Sequence, residues 1–125
     1  MNAESCGPEA APERLDATAL DRLRQLDPDG KHGVVNRVLS TYENSLQRQM
    51  ELASQAGQQG DTTAVANVAH LLKSSSAAVG ALALSECCAS LERRLRAGEA
   101  VDLGAEVENL LTQGARALLA VRAML

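Results

Sequence analysis

The sequence predicts an all-α protein, an antiparallel four-helix bundle with a short N-terminal helix, on three observations. Apolar residues recur three and four apart in five separate stretches, the spacing that gathers them on one helical face. No stretch alternates polar and apolar residues over a strand's length. Phe and Trp are absent and Tyr42 is the only aromatic, so a core must come from Leu, Val, Ala and Met, which suits helices better than sheets.

Residues 1–14 form a lead whose centre, Gly7-Pro8-Glu9-Ala10-Ala11-Pro12, is broken by two prolines and has no apolar period to bury, so it is expected to be disordered. A bundle domain then occupies 15–125. Asp16 can cap a first helix with Leu20, Leu23 and Leu26 as its stripe, ending before the turn signal Asp27-Pro28-Asp29-Gly30. A long helix over about 34–56 carries Val35, Leu39, Tyr42, Leu46, Met50 and Ala53, and Gly57 and Gly60 punctuate its end. Asp61, Thr62 or Thr63 offers the next N-cap, for a helix running to about Val79 and stopping at Gly80. A fourth, over about 82–96, buries Leu84, Cys88, Leu91 and Leu95, and Gly98 closes it. The last, from about 103 to the C-terminus, carries Leu103, Val107, Leu110, Leu111, Leu118 and Val121. Short loops between long helices make neighbours antiparallel, and no internal repeat is present.

Composition excludes several classes of function. Twelve Lys and Arg against sixteen Asp and Glu give a net charge of −4, so no global positive field draws nucleic acid or acidic lipid. No apolar run is long enough to cross a bilayer, and residues 1–12 have no basic region followed by an apolar stretch, which points to a cytoplasmic protein. Cys6, Cys87 and Cys88 are odd in number and lack a metal-ligand spacing; free thiols are the simplest reading. The amphipathic helices can satisfy one another within one chain, so a monomer is expected.

The chemistry lies in His70-Leu71-Leu72-Lys73-Ser74-Ser75-Ser76-Ala77-Ala78-Val79-Gly80. His70, Lys73 and Ser74 share one stripe of the third long-patterned stretch, while Val65, Val68, Ala69, Leu72, Ser76 and Val79 fall on the core side. An exposed imidazole beside a fixed positive charge is suited to handling a transient anion. His32 and the Cys87-Cys88 pair read as structural or incidental, and the serine run reads as small residues between packed helices rather than as a nucleophile.

The spacing of His70, Leu72, Lys73, Ser74, Ser75, Ser76, Val79 and Gly80 resembles the motif of the histidine-containing phosphotransfer (HPt) domain family. Tyr42, the Gly60-Asp61 pair and the Leu91-Glu92 pair also match family positions; Ser74 stands where many members have Gly. The resemblance implies a phosphorelay intermediate in which His70 accepts a phosphoryl group from a receiver-domain aspartate and passes it to another receiver. It also implies that Glu92 orients the imidazole, that Lys73 and Arg96 give electrostatic support, and that Ser74 and Ala77 lie where a receiver docks. No cofactor is expected on the chain itself, and Mg²⁺ would belong to the partner receiver. Without an acidic cluster or a Gly-rich phosphate loop, ATP-dependent catalysis is not expected. Read from spacing alone, Glu92 and Arg96 are equally a surface i,i+4 ion pair. Two other readings stay open: the dimerisation and phosphoacceptor part of a sensor histidine kinase, and a receiver-binding bundle that is never phosphorylated. The kinase reading lacks the acidic residue after the histidine and the proline that such helices usually carry.

Overall fold

The computed structural model describes residues 11–125. Five helices, and no strand among the described residues, form it: α1 Ala17–Gln25, α2 Val34–Gln59, α3 Thr62–Ala78, α4 Leu82–Arg96 and α5 Leu103–Met124. Around the bundle α2 packs on α3, α3 on α4, α4 on α5 and α5 back on α2, with α3 against α4 the most extensive pairing. The apolar stripes meet on the axis, where Leu39, Leu46, Leu72, Leu84, Leu91 and Leu110 are fully buried. Short α1 lies against α2 at the end where α3 finishes and α4 begins, with Leu20 and Leu23 buried.

Three helices start on their own caps: the carboxylates of Asp16, Asp61 and Asp102 accept from the backbone N–H of Ala19, Ala64 and Ala105. The N-caps of α2 and α4, Gly33 and Ala81, offer no side-chain bond, so carboxylates from outside each helix serve instead. Asp27 Oδ2 accepts from the N–H of His32 at 3.0 Å and of Val34 at 3.3 Å. Glu13 Oε2 accepts from Ala83 N–H at 2.7 Å, replacing the local cap that α4 lacks.

Glu13 thereby ties down the end of the expected lead. Its N–H donates to Arg116 C=O at 3.0 Å, and the Arg116 guanidinium donates to Ala11 C=O at 2.9 Å. Residues 11–14 are therefore strapped across α4 and α5, while the rest of the expected disordered lead, with Cys6, lies outside the described residues. The strap ends at the α3–α4 corner, where Asp16 N–H donates to Gly80 C=O at 2.8 Å. Gly80 has a φ of +87°, and a Cβ there would stand 2.7 Å from the Asp16 nitrogen, so both backbone conformation and space require glycine.

Three sequence expectations need correction. Helix α2 does not end near Ala56 but continues to Gln59 and turns at left-handed Gly60. Gly57 stays helical because Val107 of α5 packs onto it so closely that a Cβ would lie 3.0 Å from a valine methyl; its role is close approach rather than termination. Leu26 does not join the α1 stripe: it follows the helix as its C-cap and is 67% exposed. Leu95 is only partly buried.

Candidate functional site

Helix α3 presents its chemistry on the side facing α4 because its other side is committed to the core. Val65, Val68, Ala69, Leu72, Ser76 and Val79 are all buried, as the periodicity predicts, and His70 is left outside with its side chain 60% exposed. Ser76 is the polar member of the buried set. Its hydroxyl meets the Tyr42 hydroxyl at 2.8 Å, so the only aromatic residue pins α3 to α2 from within. Burial pushes the Tyr42 phenol well above its ordinary value. Ser85 on α4 adds a second tie, donating to Lys73 C=O at 2.7 Å.

Across from His70, Glu92 of α4 is mostly covered and collects three cationic or ring groups. His70 Nδ1 lies 2.9 Å from Glu92 Oε2, and Lys73 Nζ donates to Oε1 at 2.9 Å. Arg96 Nε approaches Oε2 at 3.5 Å. The Lys73 hydrogen bond, and after it that of His70, holds the Glu92 carboxyl below the usual carboxylate range against the opposing effect of desolvation. A carboxylate so held only accepts, so the hydrogen on the short contact belongs to Nδ1, and in the neutral ring the lone pair is on Nε2. For the neutral ring the geometry thus selects one tautomer, with the unprotonated nitrogen on the side away from Glu92.

Every site residue named from sequence lies on this α3–α4 face or beside it. Ser74 is exposed, one turn beyond His70, and Ala77 is partly buried a further turn on. Glu92 and Arg96 do form the i,i+4 pair that spacing allows, yet the same Glu92 also holds His70 and Lys73, so the pair is part of a larger cluster. Lys73 and Arg96 both lean on that carboxylate rather than standing alone. Asn67, one turn before His70, was not singled out by sequence: its Oδ1 accepts from Arg96 Nη2 at 3.1 Å. Its place three residues before His70 on the same stripe was the available signal. Beside this face an open groove between α2 and α3, about 330 Å³, includes Asn67, Leu52 and Leu71, the last 55% exposed. Among the described residues no group of three or more His, Cys, Asp or Glu is placed to hold a metal ion.

Away from the site, Arg94 makes a two-pronged pair with Glu106 at 3.0 and 2.8 Å, which fixes α4 on α5. Cys87 is partly buried and Cys88 fully so, both thiols are free, and burial pushes that of Cys88 up to about 12. A thiol so disfavoured as thiolate is a packing residue.

The family model of the Hpt domain matches residues 37–125. The chain belongs to the Hpt domain family, whose members carry phosphoryl groups on histidine in phosphorelays rather than acting as kinases. The match covers α3, α4, α5 and nearly all of α2, and it favours this family over the kinase dimerisation helix as the origin of the motif. Among solved structures, the chain is similar to the crystal structure of histidine-containing phosphotransfer protein B (HptB) from Pseudomonas aeruginosa PAO1, at 24% identity and a TM-score of 0.76. The similarity covers 94% of this chain and 96% of that one. No curated protein matches the sequence. No helix among the described residues is long and apolar enough to cross a membrane.

Proposed function

We propose that His70 is the phosphoacceptor and that the chain shuttles phosphoryl groups between receiver-domain aspartates. The observation that carries this reading is the 2.9 Å contact of Glu92 with Nδ1 of an imidazole that is otherwise open to solvent. The Nε2 lone pair attacks the phosphorus of a receiver's aspartyl phosphate. The bond from phosphorus to the carboxylate oxygen breaks, and the aspartate leaves with the electron pair. The new Nε2–P bond leaves a ring that still carries Nδ1–H and gains positive character, which Glu92 offsets. A second receiver reverses the step, its aspartate attacking phosphorus and neutral imidazole leaving.

Lys73 and Arg96 support the phosphoryl oxygens as their charge is redistributed, each turning part of its attraction from Glu92 to the incoming anion. Ser74 and Ala77 keep the approach to Nε2 low, so that a receiver can bring its aspartate within bonding reach. The Mg²⁺ that accompanies the aspartyl phosphate belongs to the receiver. The chain acts as a carrier without catalytic turnover of its own, as a monomer, in the cytoplasm. Its partners are receiver domains of response regulators or hybrid kinases, and neither nucleic acid nor membrane.

The test is to load the chain from a phosphorylated receiver and locate the acid-labile, base-stable phosphoryl group by peptide mass spectrometry under alkaline conditions. The expected position is His70. A group on any other residue, or none transferred from a panel of phosphorylated receivers, would sink the proposal.

A further inference from the structure

Arg96 is the last residue of α4: Ala97 caps the helix and Gly98 turns left-handed at a φ of +74°. A long side chain at a helix end, 47% exposed, does not hold one position unless something fixes it. Glu92 does so poorly. Its Oε1 is engaged by Lys73 at 2.9 Å and its Oε2 by His70 at 2.9 Å, which leaves Arg96 a contact of 3.5 Å. The shorter and better directed bond of the guanidinium is the one to Asn67, at 3.1 Å. Asn67, His70 and Lys73 follow one another at intervals of three along α3, so the amide sets the far end of the row on which His70 is central.

We propose that Asn67 is a positioning residue for phosphoryl transfer, holding the Arg96 guanidinium across the α3–α4 seam so that a cation stands on the Asn67 side of His70 as Lys73 stands on the other. The inference rests on His70 being the phosphoacceptor. Asn67 acts through Arg96 and contributes no charge of its own. Its side chain is exposed, so losing it opens no cavity, and its effect belongs to the transfer step rather than to folding. The two fixed cations would bracket the phosphoryl oxygens along the helix, whereas a guanidinium released from Asn67 spreads over solvent-facing rotamers and reaches them for only part of the time.

The experiment is a double-mutant cycle with Asn67→Ala, Arg96→Ala and the pair, in the full chain. It uses single-turnover transfer from a phosphorylated receiver domain that loads the wild-type protein. Arg96→Ala should slow transfer about tenfold, less than the loss of an enclosed anion-stabilising donor because this face is open to water. Asn67→Ala should slow it roughly threefold, with receiver affinity and melting temperature at their wild-type values. In the Arg96→Ala background, Asn67→Ala should have no further effect. Wild-type transfer by Asn67→Ala overturns the proposal, as does an equal loss in rate and affinity, or a threefold loss that persists without Arg96. His70→Gln run alongside keeps the two readings apart: continued labelling there defeats the His70 assignment, whereas a silent Asn67→Ala with an unlabelled His70→Gln defeats only the role of Asn67.

Discussion

The chain has two histidines, His32 in the turn before α2 and His70 within α3, and both are exposed. They differ in what the fold builds around them. His32 is held through its backbone: its N–H donates to Asp27 and its C=O accepts from Arg37 at 3.2 Å, which serves to start α2. His70 is held through its ring, by a carboxylate from another helix that also gathers Lys73 and Arg96. Exposure therefore does not make an imidazole a nucleophile. On the reading proposed for His70 a fixed tautomer and nearby cations do, and the carboxylate that fixes the tautomer comes from a second helix in register.

The largest expected difference comes from removing each imidazole. His70→Gln should abolish phosphoryl acceptance and leave helicity and melting near wild type, while His32→Gln should transfer normally. Label retained by the first, or lost by the second, would erase the distinction between them. Next in size is access. Ser74→Phe should slow transfer by about a hundredfold or more, since a misplaced approach to the reacting atom forfeits most of the benefit of orientation. Ser74→Ala should stay close to wild type, and circular dichroism should find both variants folded. If the alanine variant is inactive, the hydroxyl has chemistry and the site is more than an open imidazole.

Lys73→Ala should cost roughly tenfold in single-turnover transfer and much less in equilibrium receiver binding. Equal losses in the two would move Lys73 from chemistry to docking. The smallest effect separates the site's carboxylate from the strap's. Burial raises the Glu13 carboxyl above its ordinary 4.5, so Glu13 favours the folded state fully below that value and loses its contribution as pH climbs through the raised one. The Glu92 carboxyl is lowered, so its contribution is present above 4.5 and fades as pH falls through the lowered value. Melting curves of Glu13→Gln and Glu92→Gln against wild type should thus diverge in opposite senses, the first gaining relative stability as pH rises from about 4 to 6. A parallel pair of curves would mean that the two carboxyls feel the same surroundings.

Periodicity made the bundle legible because each buried stripe is a local pattern: Leu39, Leu46, Val65, Leu72, Leu84 and Leu110 reach the core their spacing assigned. The His70 motif was legible for the same reason, lying within one helix. What spacing could not show are contacts between distant residues. Glu13 capping α4 at Ala83 and Gly57 yielding to Val107 both depend on how helices come to lie together. The same limit applies at the site, where Arg96 was visible as the i,i+4 partner of Glu92 and its bond to Asn67, 29 residues away, was not.

Tyr42 gives this molecule an optical property as well as a packing role. With no Trp or Phe in the sequence, its phenol is the sole aromatic side chain that absorbs or fluoresces in the near ultraviolet. That one chromophore sits on the hydrogen bond to Ser76, six residues beyond His70 on the same helix, so its signal reports a single seam and not an average over the protein. On the proposed reading, loading of His70 would change the tyrosine emission where strain reaches the α2–α3 contact. An unlabelled wild-type sample therefore already carries a local gauge of how rigidly the histidine helix is mounted.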